Sequence, residues 1–336
     1  MVRKNEVLLN IIDNSDIPKY QQLVNAIVNA IAKKELLVGN LLPSVTSMSK
    51  AQGLSRDTVF KGYTKLKKDG VIASVPNKGY HIASNVRKVL LLLDTFKAYK
   101  EVLYDSFIGN LPENTIIDLQ FHHYNIEDFK MVINNSEGKY YKYIVMNMDH
   151  KEVPAVISKI NKDKLLLLDW NIHASPDNNF VFQDFGKSFY NCLIEAQDLF
   201  RKYKKIKFIY PSYTTHPKDA VNYFKKFGDK FNFNYKVVTK VKDLNIEKNV
   251  GYVSVNDRIL AAFLEQCREK GFEPGVDVGY LSYNETPMKK FVYKGVSVIS
   301  TDFKAMGMKA AEFINLNEGE KMQCYIPTSL IKRESL

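Results

Sequence analysis

The run 42–60 near the N-terminus leaves this chain few folds to choose from. Two helix starts lie inside it, separated by one glycine. Pro43 and Ser44 open the first, because proline tolerates a first-turn position and a serine hydroxyl caps free amides. Gly53 admits the left-handed residue on which the chain turns, and Ser55 caps the second helix, with Thr58 three residues on. Val59, Tyr63 and Leu66 recur at helical spacing and bury one face. Arg56, Lys61, Lys65, Lys67 and Lys68 fall mostly elsewhere around the helix, where phosphate can be met. That is the layout of a helix-turn-helix reader. The β-prone stretches 71–75 and 80–83 flank Pro76-Asn77-Lys78-Gly79, a hairpin turn that predicts a basic wing behind the second helix.

These residues resemble the GntR family of bacterial transcription regulators. The match runs from 18–23 through 36–39 and the Leu42-Pro43-Ser44 element to the wing glycine. The resemblance implies a winged helix facing double-stranded operator DNA through Ser44, Thr46, Arg56, Thr58, Lys61, Asn77, Lys78 and Gly79. A single winged helix offers few base contacts, so a homodimer on two half-sites is expected. Two positions depart from the family pattern. Thr46 and Phe60 stand where many members carry arginine, and neither side chain makes a bidentate contact with guanine.

Charge points the same way. Residues 1–88 hold 14 Lys/Arg against 6 Asp/Glu, so +8 of the chain's +11 sits on its first quarter. A basic excess so concentrated argues for nucleic acid as the partner of that part. Cys192, Cys267 and Cys324 are widely spaced with no CxxC pair, as suits buried thiols in a reducing cytoplasm. No apolar run approaches the ~20 residues of a membrane helix, and a soluble, cytoplasmic protein without a membrane partner is expected.

Beyond a short linker at 85–88 the texture changes to apolar strands alternating with amphipathic segments. Runs at 89–93, 115–119, 143–146 and 165–168 form one series; 206–210, 235–238, 250–255, 278–281 and 296–299 form a second. The expected architecture is α/β: a winged helix-turn-helix at 1–84, then a two-lobed effector domain at 89–336 built on doubly wound parallel sheets. Polar residues mark the carboxyl ends of these strands: Asp94, Asn147 with Asp149, Asp169 with Trp170, Asn256 with Asp257, and Asn284 with Glu285. Ligands of open α/β sheets bind outside those ends. Carboxylates and carboxamides beside Phe96 and Trp170 suit a sugar, whose hydroxyls match planar donors and acceptors while a ring covers its C–H face. Each polar residue is equally suited to capping the helix that follows it.

From about Lys88 onward the chain resembles the effector domain of LacI-type repressors and their periplasmic sugar-binding relatives. The landmarks are 253–261, Gly271 with Pro274, 278–285, 300–303 with 306–311, and 327–335. The resemblance implies sugar contacts at Asn256 and Asn284, the latter in place of the usual aspartate. It also implies a basic clamp at Lys218 and first-lobe contacts at Asp94 and Asp169. Several acids with one clear lysine favour a neutral monosaccharide over a phosphorylated one, with a hexose or deoxyhexose such as fucose as the expected effector.

Catalysis is not indicated. There is no P-loop, G-x-G-x-x-G, G-x-S-x-G, HExxH or Cys/His metal spacing, so no catalytic residue, metal or cofactor is expected. A pyridoxal-phosphate domain, found in one GntR branch, is longer than the tail here. The expectation is a ligand-responsive regulator, a repressor released from its operator by sugar. The competing reading is a sugar-binding protein whose basic N-terminal part mediates protein contacts only.

Overall fold

The computed structural model describes residues 11–12, 15–75, 79–83, 86–172, 174–241 and 244–336. Its first group of elements is α1 (Lys19–Ala32), α2 (Val45–Gln52), α3 (Arg56–Lys68), β1 (Ile72–Val75) and β2 (Gly79–Ile82). The capping and turn signals act as expected, while Pro43, expected in the first turn, lies just before the cap Ser44. The Ser44 hydroxyl accepts from the Ser47 amide at 3.1 Å, Gly53 ends α2 at φ 63°, and the Ser55 hydroxyl accepts from the Thr58 amide at 3.1 Å. Leu23, Ile27, Met48, Val59, Tyr63, Leu66 and Ile82 are buried together. The Tyr63 hydroxyl donates to the Pro43 carbonyl at 2.8 Å, pinning α3 under the start of α2. β1 and β2 pair antiparallel, and Leu41 bridges to His81 beside them. The wing residues Asn77 and Lys78, and residues 84 and 85, lie outside the described residues, and Arg87 and Lys88, expected in the linker at 85–88, are the first residues of the strand that follows because they already pair with a neighbouring strand.

Two six-stranded sheets follow. The first lobe begins with β3 (Arg87–Leu93), α4 (Ala98–Gly109), β4 (Thr115–Phe121), α5 (Ile126–Ser136), β5 (Lys142–Met146), α6 (Val153–Ile157), β6 (Leu165–Asp169) and β7 (Asn179–Gln183). The second contains α7 (Lys187–Glu195), α8 (Gln197–Phe200), β8 (Lys205–Ile209), α9 (Asp219–Lys230), β9 (Tyr235–Val238), β10 (Val250–Ser254), α10 (Asp257–Lys270), β11 (Gly279–Tyr283) and β12 (Ser297–Thr301). The chain then returns through α11 (Phe303–Glu312) to β13 (Gln323–Ile326), and crosses once more to β14 (Thr328–Ile331).

The strand orders are β4-β3-β5-β6-β7-β13 and β9-β8-β10-β11-β12-β14, so both lobes share one doubly wound plan. Within these two sheets all strand pairings are parallel except β12 with β14. The central strands are apolar on both faces because helices cover both, as parallel sheets require. Three connections join the lobes: β7 to α7, β12 to α11, and β13 to β14. The second depends on Gly307, where a Cβ would lie 2.4 Å from the Leu103 carbonyl oxygen; without one, α11 lies directly on α4. The sequence does not announce β7, β13 and β14, because their polar flanks and short lengths carry little periodic signal.

Candidate functional site

The first candidate surface is the front of α3. Arg56, Phe60 and Lys61 are exposed there, and Thr46 is exposed on α2. Lys61 leans over the Tyr20 ring, its Nζ 4.2 Å from the ring centre. The Thr58 hydroxyl shares a 2.8 Å hydrogen bond with Ser55, and the Ser44 hydroxyl shares one of 2.9 Å with Ser47, so both serve helix starts. Gly79 is exposed at φ 87° where the wing re-enters β2. Lys65 is paired with Asp69, and Lys67 donates to Ser74 at 2.8 Å.

The second surface is the cleft between the lobes. In each sheet the strand order reverses beside the first strand, at β3/β5 and at β8/β10, and loops at such a switch point open a crevice. The loop after β3 carries Asp94, Thr95 and Lys97; the loop after β8 carries Thr215 and His216. Lys97, exposed at the start of α4, lies near charges of both lobes. Burial pushes its ammonium below the usual lysine range, while Asp257 of the second lobe and Asp169 of the first pull it back and Arg258 repels it. The Tyr124 hydroxyl also meets Thr215 across the cleft.

Several expected residues hold loops. Asp94 is buried and accepts from Lys100, itself fully buried, and from the Tyr124 hydroxyl. Burial takes Lys100 down to about 8, opposed by Asp169. The Asn147 amide donates to the Ile172 carbonyl at 2.6 Å, fastening the loop after β6. Asn256 caps α10, its Oδ1 accepting from the Ile259 amide at 3.0 Å, so here the capping alternative is realised.

The other expected residues are not committed to holding a loop. Asp169 sits at φ 77°, and burial raises its carboxyl although Lys100 and a hydrogen bond from Gln183 oppose that. Half-buried Trp170 lies edge-on to Phe185, 6.4 Å between centres. Asn284 adopts φ 61°, and its Oδ1 is buried without a hydrogen-bond partner. Phe96 is exposed and edge-on to Tyr104 and Phe121, and Lys218 is exposed at the start of α9.

Residues that sequence reasoning missed complete the cleft. His216 packs against Phe185 and Tyr283 at 5.2 and 4.6 Å, and burial together with the Lys97 charge lowers its imidazole to about 3. It is therefore neutral, and its Nε2 is buried with no partner; Thr95 Oγ1 is in the same state. Gln183 crosses between the lobes: its Nε2 donates to Asp169, and its Oε1 accepts from Thr301 at 2.9 Å and from Tyr283 at 3.4 Å. Thr95 and Gln183 carried only the signal of lying at or just past a strand end, and His216, in the loop between β8 and α9, carried none. No cluster of three or more His, Cys, Asp or Glu suited to a metal occurs among the described residues, nor does any helix there have the length and apolarity to cross a membrane.

Residues 19–82 match the model of the bacterial regulatory proteins of the gntR family. An uncharacterized HTH-type transcriptional regulator, YhcF of Bacillus subtilis strain 168, is 30% identical over 96 residues, which are 29% of this chain and 77% of that protein. The trehalose repressor of Escherichia coli superposes with a TM-score of 0.61 at 12% identity, over 73% of this chain and all (100%) of that one. A LacI family transcriptional regulator of Enterococcus faecium, solved with bound ribose, superposes at 0.60 with 15% identity, over 74% of this chain and 98% of that one. The fold of the two lobes is thus that of LacI-type regulators.

Proposed function

Because this chain belongs to the gntR family of bacterial regulatory proteins, we propose that it is a sugar-responsive repressor, binding operator DNA as a homodimer and releasing it when a neutral monosaccharide fills the cleft. The observation that carries the sugar reading is the set of buried, unpartnered polar atoms Thr95 Oγ1, His216 Nε2 and Asn284 Oδ1 in the loops at the strand ends. Such atoms cost about 1–3 kcal/mol each until something bonds them. Asn284 Oδ1 asks for a donor, while a neutral imidazole and a hydroxyl accept or donate. Sugar hydroxyls answer all three, Asp169 accepts a hydrogen bond from a further hydroxyl, and Trp170 offers a ring face. A neutral ligand fits better than an anion because the buried cation beside the site, Lys100, is already paired with Asp94, and Asp169 adds a carboxyl of its own. Asp94, Asn147 and Asn256 hold the loops, and exposed Phe96 and Lys218 complete the proposed set. A hexose or deoxyhexose such as fucose remains the proposed effector.

The reader and the first lobe touch, which supports coupling. Lys88 at the start of β3 donates to Asn29 Oδ1 on α1 at 3.3 Å and lies 3.6 Å from Asp118 on β4. A junction this tight transmits lobe movement that a long flexible linker would absorb. The test titrates the full chain with glucose, galactose, arabinose and fucose, following the fluorescence of Trp170, the chain's one tryptophan. The positive sugar is then added to the complex with a promoter duplex at several salt concentrations. A saturable fluorescence change, DNA binding that weakens steeply with salt, and release by the sugar support the reading. Absence of a response to every sugar refutes the effector. Salt-insensitive or absent DNA binding instead favours a basic part that contacts proteins only.

A further inference from the structure

We propose that Phe60 is a specificity-determining residue that reads the 5-methyl group of a thymine in each operator half-site. The inference rests on the DNA-binding reading above and deepens it. Phe60 is 59% exposed, although α3 buries Val59, Gly62, Tyr63 and Leu66 on the side that builds the core. It stands one turn after Arg56 and one turn before Thr64, so these three share an outward face near the start of the helix. That part of the second helix is what a helix-turn-helix presents to base edges in the major groove. No aromatic ring contact of Phe60 occurs among the described residues, and the fold draws little from leaving a phenyl ring in water.

The surroundings say what covers it. Arg56, Lys67 and Lys68 are exposed along α3, on a part of the chain that carries most of the net positive charge. A polyanion is the complementary surface. On that surface the thymine methyl is the apolar feature of the major-groove edge; guanine, adenine and cytosine display polar groups there. A phenyl ring offers those groups no hydrogen bond and would strip their water, so it disfavours them at the facing position. Against a methyl it loses nothing and buries apolar area. Phe60 therefore replaces guanine reading by an arginine with thymine reading by contact.

The test starts with the full chain selecting duplexes from a randomised pool. Each thymine of the selected duplex is then replaced in turn by deoxyuridine, which removes the methyl and nothing else, and affinity is measured for the wild type and for Phe60→Ala. The expected result is one thymine per half-site where deoxyuridine weakens wild-type binding about fourfold, the worth of one buried methyl, and leaves Phe60→Ala binding unchanged. Selection with Phe60→Arg should move the same position from thymine to guanine. Equal sensitivity to deoxyuridine in both proteins, or an unchanged selection with Phe60→Arg, overturns the proposal. If Phe60→Ala binds no duplex, Phe60→Leu keeps an apolar contact and must retain the thymine. A wild type that enriches no duplex refutes DNA reading itself, whereas enrichment without coupling at Phe60 refutes this inference alone.

Discussion

Two buried histidines make the effector lobes sensitive to acid, by an amount that follows from their surroundings. His122 lies fully buried between Tyr124 and Phe129, its Nδ1 accepting from the Tyr124 amide at 3.2 Å. Burial, with repulsion from Lys100 and His123, lowers it from 6.5 to about 4. His216 in the other lobe is lowered from 6.5 to about 3 by burial and by Lys97. Both folded values lie below the unfolded one, so the unfolded chain takes up each proton first. The neutral imidazoles are therefore compatible with the fold above pH 6.5, and stability is lost as pH falls below that value towards 4 for His122 and 3 for His216. At about pH 5 an unfolded imidazole binds protons roughly thirtyfold more favourably than either folded one. That is a loss of about 2 kcal/mol for each, or about 4 kcal/mol for the pair, relative to about pH 7.5. Asp169, held above its ordinary value of 3.8, acts in the opposite sense, so the histidine part is best isolated by difference. Urea unfolding followed by Trp170 fluorescence at the two pH values, in the wild type and in His122→Asn and His216→Gln, supplies that difference. Each single variant should lose about 2 kcal/mol less on acidification than the wild type, and the double variant about 4. An acid loss in the double variant equal to that of the wild type would refute the reasoning.

Arg56→Ala should cost about 1–3 kcal/mol on the selected duplex and relax the preference at one base pair per half-site, as read by competition binding; unchanged affinity removes Arg56 from the interface. Gly307→Ala drives a methyl into the Leu103 carbonyl where α11 meets α4, and should lower stability by about 1–3 kcal/mol in denaturant unfolding; a neutral substitution would mean that the helices separate freely. Adding the effector sugar to the operator complex should weaken DNA binding about 5- to 150-fold, the usual range of coupling between two sites. Tighter DNA binding would reverse the sign of regulation, and no change with demonstrable sugar binding would refute the coupling.

What the sequence determined by itself is what neighbours along the chain decide. Ser44, Gly53 and Ser55 set two helix starts and the turn between them through contacts spanning three residues, so the reader is legible from local chemistry alone. Unbroken apolar runs such as 89–93 and 165–168 announce buried parallel strands, and their ends locate the loops of the cleft. Tertiary structure decided which side chains in those loops remain for a ligand. Asp94 reads as a contact residue, yet Lys100, buried in the first turn of α4, takes its carboxylate. His216, unremarkable in sequence, is buried with its Nε2 unpartnered, whereas Asn256 reads as a contact and is settled locally, as a cap. Gln183 acquires its role only because β7, β11 and β12 bring their ends towards one another, placing Asp169, Tyr283 and Thr301 within its reach. A cap or a turn is settled by backbone geometry within one helical turn. Whether a buried polar atom keeps a free bonding position depends on partners from other elements, some of them, as for Gln183 with Tyr283 and Thr301, a hundred or more residues away, and only the assembled lobes bring those together.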